Sequence, residues 1–279
     1  MLNRSGGNGC VSLLATIGLI LLILLVLGAF TNVGLSLGLA EKTSVQQSGP
    51  EVAAASSIEV QNQIGRVTVR GGDSLSYRIT RHAWGATDGT ASAELERMKV
   101  TVAQNGGNLL IIAEAKSDLG KLRFNLIHDS SIDVEVVAPA SVAVKVRADV
   151  SDVEVSSYGG SLDLLANVGS LKVATAALSG PLKLETKTGS INFSGQLAPG
   201  ENSIKTAVGS IDLILPTNPP ISFSGKCDVG NISLDPAFNL PNAVQRAGTG
   251  ETIQTTGNVA ERKLNVQAAT GSINIKASK

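Results

Sequence analysis

The chain has 279 residues, which is long enough for one large or two small domains. Lysine plus arginine and aspartate plus glutamate both number 23, so the formal net charge is zero. This balance argues against a nucleic-acid partner and against attraction to an anionic surface. Only 16% of the residues are charged and 30 are glycine, which is typical of an all-β chain with frequent turns.

An uncharged apolar run dominates the amino terminus. Residues 1–10 are short, polar and glycine-rich, and we predict a cytoplasmic tail there. No charged residue occurs over 11–30, and 20 residues at about 1.5 Å each match the ~30 Å hydrocarbon core of a bilayer. We therefore predict a transmembrane helix over 11–30, with weaker apolar character to residue 40. A cleaved signal peptide is the alternative, because Gly38-Leu39-Ala40 has the small residues of a cleavage site.

Few charges flank this run. Arg4 and the amino terminus precede it, and Lys42 beside Glu41 follows it. The positive-inside rule then places the amino terminus in the cytoplasm. The sequence thus predicts a single-pass protein of the cell membrane with an extracytoplasmic carboxy-terminal domain. The alternative is the inverted topology, with a cytoplasmic sensor domain.

The two cysteines, Cys10 and Cys227, are too few and too far apart for a disulfide framework or a metal site. A span over 11–30 would also place them in different compartments, where they cannot pair. Cys10 precedes the apolar run, whereas a lipoprotein cysteine follows one. We therefore expect an inert thiol at Cys10 in preference to a palmitoylated one.

A tether and an irregular β region follow. Residues 41–57 are rich in Thr, Ser, Gln and Ala without apolar periodicity, which predicts a tether. Alternating segments over 58–147 predict strands, with one short helix over 91–98 and a break at Ala138-Pro139. Because these strands lack a common period, we predict an amino-terminal β layer that caps the next domain.

Residues 148–279 carry a recurring phrase, Gly-Ser-apolar-polar-apolar. It begins at Gly160, Gly169, Gly189, Gly209, Gly230 (where Asn replaces Ser) and Gly271. From Gly169 onward the steps are 20, 20, 21 and 41 residues, and a second series of apolar pairs lies half a period away. We therefore predict an all-β fold, a β-solenoid or β-helix-like domain with about 20 residues per turn, preceded by one transmembrane helix. An antiparallel sandwich is the alternative.

Stacking of the repeats predicts two columns of side chains. The inward column is branched aliphatic and consists of Leu171, Ile191, Ile211, Ile232 and Ile273. The outward column is polar and consists of Lys172, Asn192, Asp212, Ser233 and Asn274. At the turns, Gly189 and Gly209 are predicted to have positive φ, which a residue with a side chain adopts only at a cost.

Three groups of residues suggest a known family. They are the early Ile64-Gly65-Arg66-Val67-Thr68-Val69, the Ala138-Pro139 step, and the phrases Thr188-Gly189-Ser190-Ile191 and Val208-Gly209-Ser210-Ile211. In these features residues 58–279 resemble the bacterial putative-adhesin, or toast-rack, family. The resemblance implies a β-solenoid-like domain attached to the bacterial envelope, with a role in adhesion or envelope-stress signalling. The family offers no catalytic residues to carry over.

Candidate catalytic residues are few. Asp163, Glu185 and Asp212 do not share one repeat position, so they predict no carboxylate pair for glycan cleavage. His82 and His128 lie far apart, and their spacing indicates no catalytic triad. The turns hold Ser or Asn where calcium-binding repeats hold Asp. We therefore predict no catalytic, cofactor-binding or metal-binding residues, and we predict that the protein is not an enzyme.

One polar and aromatic stretch contains Arg78, Arg81, His82 and Trp84. Such residues can bind phosphate or sugar. We favour a solvated strand face with Trp84 partly packed, because one Trp and two Tyr provide few aromatic platforms for sugars.

We predict from these features a membrane-anchored, non-enzymatic interaction or scaffold domain outside the cytoplasm, acting in adhesion or envelope-stress signalling. Its partners would be the membrane, through the amino-terminal helix, and one or more envelope proteins. The predicted contact surfaces are the outward polar column and the exposed end strand. A glycan-active β-helix enzyme is the alternative from another class.

Overall fold

The structure is a computed structural model that describes residues 40–47, 55–115, 130–217, 221–240, 244–255 and 261–278. In these residues 17 strands join one sheet, and one short α-helix lies beside it. The all-β class predicted from the sequence is therefore correct. The architecture that these strands build differs from the prediction.

The amino-terminal strands are organised around one long strand. They are β1 (Ala40–Gln47), β2 (Ser57–Gly71), β3 (Ser76–Gly85), β4 (Lys99–Asn105), β5 (Asn108–Glu114), β6 (Ser131–Ala138) and β7 (Ala143–Ser156). Strand β2 pairs in parallel with β5 through its first half, with β6 through its second half, and with β7 along its length. Strands β1 and β6 flank β3 in antiparallel pairings, and β4 forms a hairpin with β5. The first half of the predicted tether is thus a strand.

One helix, α1 (Asp88–Arg97), connects β3 to β4. It begins after Thr87, whose side chain accepts a hydrogen bond from the backbone of Thr90, while the Thr90 hydroxyl contacts the backbone of Thr87. This reciprocal cap satisfies free N–H groups at the helix start. The short helix predicted over 91–98 is therefore confirmed, and it starts earlier because of this cap.

The carboxy-terminal strands are shorter, apart from β14 and β17. They are β8 (Leu162–Val168), β9 (Leu171–Ala177), β10 (Leu182–Thr188), β11 (Ile191–Gln196), β12 (Gly200–Val208), β13 (Ile211–Leu215), β14 (Ile221–Leu234), β15 (Val244–Ala247), β16 (Gly250–Gln254) and β17 (Arg262–Ala277). A 3₁₀ turn, Pro236–Phe238, follows β14, and Phe238 packs edge-on against Phe223 at a ring distance of 5.4 Å.

The strand pairings close into a parallel barrel. Strands β8, β10 and β12 form one arm, and β9, β11 and β13 form the other. Strand β7 pairs with both β8 and β9 at one end, and β17 pairs with both β12 and β13 at the other. The ring β7-β8-β10-β12-β17-β13-β11-β9 is therefore complete.

The predicted β-solenoid is wrong. It assumed that every period contributes two separate strands, which would leave two open stacks. Strands β7 and β17, with 14 and 16 residues, instead continue without interruption past the point where the shorter strands turn from one arm to the other. Each of these two strands therefore joins both arms. The result is a closed barrel of eight parallel strands and not a solenoid of repeats. The boundary predicted between residues 147 and 148 stays a prediction.

The barrel core consists of the predicted inward column and its counterparts on the other arm. Ile191 pairs in register with Leu171 on one side and with Ile211 on the other, and all three are fully buried. Ile273 lies next to Ile211, and Ile232 lies outside Ile273. The column is therefore confirmed, but its last two members are exchanged because β17 lies between β13 and β14.

The described residues contain no helix that is both long and apolar enough to cross a bilayer. The predicted transmembrane helix over 11–30 and the tail over 1–10 lie outside the described residues. The localisation predicted from the sequence, a single-pass membrane protein, is accordingly corrected, because no spanning helix is found in the part of the chain that the structure describes. The described residues therefore do not support the predicted membrane contact through an amino-terminal helix.

Glycines mark the corner between the two arms, as predicted. Gly189 and Gly209 have φ values of 146° and 144°. A Cβ atom on Gly209 would lie 2.0 Å from the carbonyl oxygen of Gly189, and one on Gly189 would lie 2.0 Å from that of Gly169. The corner therefore requires glycine both for its backbone conformation and for the close approach of the next strand.

The outer edge of β14 is capped by a carboxylate. Strand β16 pairs with β14 only over Ser224–Cys227. Beyond that point, the Ile232 N–H donates to Glu251 Oε2 at 2.6 Å, and Arg246 Nε donates to Glu251 Oε1 at 3.2 Å. The Ile232 N–H, followed by the Arg246 contacts, holds the pKa of Glu251 below its ordinary value. Glu251 thus takes the place of a strand at an exposed edge.

We expect Glu251→Gln to flatten the acid dependence of stability. A carboxylate with a lowered folded pKa stabilises the protein above the unfolded pKa of about 4.3, and this contribution disappears as the pH falls through the folded value. The difference between wild type and variant in the denaturation midpoint should therefore be largest at pH 7 and shrink towards pH 3. A difference that stays constant over this range would show that the charge of Glu251 does not matter.

Candidate interaction surface

A row of exposed β-branched side chains follows one corner of the barrel. We call it the β-branched row, and its members are Val150, Val168, Thr188, Val208, Thr270 and Val229. Each lies in register with the next on the neighbouring parallel strand, from β7 through β8, β10, β12 and β17 to β14. The four valines are 47–52% exposed, although valine is normally buried. Exposed aliphatic side chains that line up in this way mark an interaction surface.

Buried polar side chains support the row from inside. Thr186 and Thr206 lie two residues before row members and are almost fully buried. Their hydroxyls donate to the carbonyl oxygens of Gly169 and Gly189 at 3.2 and 3.3 Å. These bonds satisfy the carbonyls where the chain turns, so the corner is held in one conformation. The row is therefore displayed on a rigid base.

A second column, of serines, lies beside the row just past the glycines. Its members are Ser170, Ser190, Ser210 and Ser272. Ser272 Oγ lies 3.2 Å from Ser210 Oγ, so two hydroxyls bond to each other. The serine side chains are small and uncharged, and one carboxylate lies beside them at Asp152, whose Oδ1 accepts a hydrogen bond from the Ser170 N–H at 2.8 Å.

The outward polar column predicted as a contact surface does face outward. Lys172 Nζ lies 3.2 Å from Glu154 Oε1, and Asn274 Nδ2 donates to Asp212 Oδ1 at 2.9 Å. These neighbours satisfy one another across the strands. Several polar groups of the column are therefore already paired within the protein, whereas the β-branched row has exposed aliphatic surface for a partner.

The three carboxylates considered for glycan cleavage fall in three separate rows. Asp163 pairs in register with Lys183, Glu185 with Lys205, and Asp212 with Asn192. Asp163 also forms an ion pair with Arg147 at 2.5 Å. None of the three therefore pairs in register with another of the three, and the absence of a catalytic carboxylate pair stays a prediction.

Arg81 and His82 from the polar stretch hold β1 onto the sheet. Arg81 Nη2 donates to Ser44 Oγ at 2.7 Å. His82 Nδ1 lies 3.2 Å from Glu41 Oε1, and its Nε2 lies 3.6 Å from Asp133 Oδ2. Both side chains therefore join strands. Trp84, which is half-buried, and Arg78 also make contacts within the protein.

Cys227 is a buried cysteine with a structural role. It is buried, and its Sγ donates to the carbonyl oxygen of Gly271 at 3.4 Å, as the threonines do on other strands. Burial, together with nearby Asp228 and Glu251, raises the pKa of the thiol, which disfavours the reactive thiolate. Cys10 and His128 lie outside the described residues.

Comparison with models of known families finds no match, and no curated protein matches the sequence. Solved structures do match in shape. One is a putative cell adhesion protein from Clostridium sporogenes, with 12% identity and a TM-score of 0.46 over 86% of this chain and 100% of that one. The chain resembles bacterial adhesion proteins. The resemblance predicted from the sequence is thereby confirmed.

Two further structures are similar. A putative adhesin from Bacteroides fragilis has 15% identity and a TM-score of 0.33, and it covers 84% of this chain and 97% of its own. A putative lipid binding protein from Parabacteroides distasonis has 7% identity and a TM-score of 0.32, with the same coverage of 84% and 97%. None of these three descriptions is that of an enzyme.

Proposed function

We propose that the protein is a non-enzymatic binding domain whose contact surface is the β-branched row. The observation that carries the proposal is one continuous line of six exposed β-branched residues across six parallel strands, in which the four valines are 47–52% exposed. Adhesion is the role we propose for this contact. Envelope-stress signalling is the second role that the sequence resemblance implies.

The partner is held by side-chain packing. Strands β8, β10, β12 and β17 each have parallel neighbours on both sides, so their backbone groups at the row are already paired. A partner strand therefore has no edge to extend at this place. An amphipathic helix needs no backbone partner, and its apolar stripe can pack against a row of aliphatic side chains.

The length of the row fits one helix. Six strands at about 4.8 Å spacing give a row about 24 Å long, which is the length of an α-helix of about 16 residues. With a width of about 10 Å, such a strip covers roughly 240 Å², well below the ~800 Å² per partner of a standard stable interface. The row therefore suits a reversible contact with a single helix of a protein partner and is too small for a stable dimer of this chain.

A model peptide tests the proposal. The probe is a 16-residue amphipathic peptide with leucines at i, i+3, i+4 and i+7 spacing and an uncharged polar face, labelled for fluorescence anisotropy. The full chain should bind this peptide. The double variant Val168→Thr with Val208→Thr should weaken binding at least tenfold, because each change puts a hydroxyl in place of a methyl that the bound helix would bury. Threonine keeps the shape and the strand preference of valine, so the thermal midpoint should not change.

Val45→Thr is the matched control, since Val45 is 54% exposed but lies in β1, outside the row. It should leave peptide binding unchanged. The proposal fails if the double variant binds as tightly as wild type. It also fails if a scrambled peptide without an apolar face binds equally well.

A further inference from the structure

We propose that a polar cavity on the outer face of β2, β6 and β7 binds one acidic unit of a saccharide, a ligand site separate from the β-branched row. The cavity has a volume of about 230 Å³, and its lining consists of Arg66, Thr68, Arg70, Asp133, Val134, Glu135, Glu154 and Ser156. This site goes beyond the proposed contact with a helix and does not depend on it.

The lining is an ordered grid centred on Thr68. Arg66 and Arg70 lie two residues before and after Thr68 on β2, so all three side chains share one face. Glu135 of β6 and Glu154 of β7 pair in register with Thr68 on its two sides. With Asp133, which also lines the cavity, two guanidinium groups and three carboxylates thus surround a hydroxyl at the spacing of the sheet.

Two of the three carboxylates, Glu154 and Asp133, have basic partners outside the lining. Glu154 Oε1 lies 3.2 Å from Lys172 Nζ. Asp133 accepts a hydrogen bond from the Arg66 backbone N–H at 3.0 Å and lies 3.6 Å from His82 Nε2. Over the described ranges, no ion pair joins the guanidinium of Arg66 or Arg70 to a carboxylate. Both arginines are exposed, and their donors are available to an anionic group.

This donor set fits an acidic sugar. Arginine binds carboxylate, sulfate and phosphate through paired N–H donors. The hydroxyls of Thr68 and Ser156 and the carboxylate of Glu135 can bond the hydroxyls of a sugar ring. Val134 is the one aliphatic residue in the lining, so an acidic peptide would find little apolar surface for its other side chains. The volume is below the roughly 300 Å³ of pockets for drug-sized ligands, which suits one unit of a longer chain.

Calorimetric titration of the full chain provides the test. Two acidic ligands, a tri-galacturonate and a sulfated disaccharide, distinguish a carboxylate from a sulfate, and neutral maltotriose serves as the uncharged ligand. At least one acidic ligand should bind, and its affinity should fall as NaCl is raised. Maltotriose should not bind. The double variant Arg66→Gln with Arg70→Gln should lower the affinity for the acidic ligand at least tenfold.

Lys187→Gln is the matched control, because it removes an exposed cation from β10, outside the cavity. It should change the affinity less than twofold. The assignment is overturned if neither acidic saccharide binds, if the double arginine variant binds as wild type does, or if a tri-glutamate peptide binds as tightly as the saccharide. The double arginine variant should still bind the amphipathic peptide, which separates failure here from failure of the proposed function.

Discussion

Replacing Ile191 with aspartate should lower the free energy of unfolding by more than about 4 kcal/mol, or prevent folding altogether. Ile191 has no exposed surface and lies in register between Leu171 and Ile211, both fully buried. The new carboxylate would therefore lie among aliphatic side chains without a cation or a hydrogen-bond donor. Urea denaturation followed by circular dichroism measures the effect.

Asn192→Asp is the matched control for that change. Asn192 is exposed, and its register neighbours are Lys172 on one side and Asp212 on the other. The attraction to one and the repulsion from the other largely cancel in solvent, so the free energy of unfolding should change by no more than about 0.5 kcal/mol. Equal losses at positions 191 and 192 would contradict the assignment of the two faces of β11.

Local patterns in the sequence were sufficient to predict most strands of the barrel and their faces, whereas β1 fell in the predicted tether. The alternation at Ile191, Asn192 and Phe193 identifies which side chains point inward, because successive residues of a strand face opposite sides. The glycine before each strand identifies the corner. Both kinds of information are contained in a few consecutive residues, and the structure confirms both.

The closure of the barrel depends on pairings between distant parts of the chain. Sequence order placed Ile232 next to Ile211, but β17 inserts between their strands and brings Ile273 to that position. Strands β14 and β17 have the same alternation of apolar and polar residues, so the sequence of each fits the position beside β13 equally well. The sequence therefore could not predict which strand closes the ring. One residue departs from the repeat where β7 passes the glycine corner. Ser151 pairs with Gly65, whereas most other strands have glycine at this position, and this was a weak signal that β7 differs from the shorter strands.

The two candidate sites were missed for different reasons. A Val or Thr precedes most corner glycines, as at Val168, Thr188 and Val208, and this regularity was visible in the sequence. Thr188 and Val208 entered only the phrases that carry the family resemblance, so the alignment of these residues into an exposed row was not predicted. The saccharide cavity combines Arg66 with Glu135 and Glu154 from two other strands. Only the tertiary structure brings these residues together.

Gly209→Ala should lower the free energy of unfolding by about 3 kcal/mol or more. The left-handed backbone alone costs a residue with a side chain about 1–2 kcal/mol, and Gly209 has a φ of 144°. In addition, the new Cβ would lie 2.0 Å from the carbonyl oxygen of Gly189, so β10 and β12 must separate at the corner. Separation would also strain the bond between these two strands in which the Gly189 N–H donates to the Val208 carbonyl at 2.9 Å.

Gly106→Ala isolates the first of these two costs, the backbone penalty. Gly106 also has a positive φ, 58°, in the turn between β4 and β5, but a Cβ there would meet no atom within 4 Å. This substitution should therefore cost only the backbone penalty, about 1 kcal/mol. The excess loss at Gly209, measured by urea denaturation of both variants, reports the close packing of strands at the corner. If the two variants lose the same stability, the approach of neighbouring strands imposes no requirement for glycine, and the rigid base inferred for the β-branched row would lose its support.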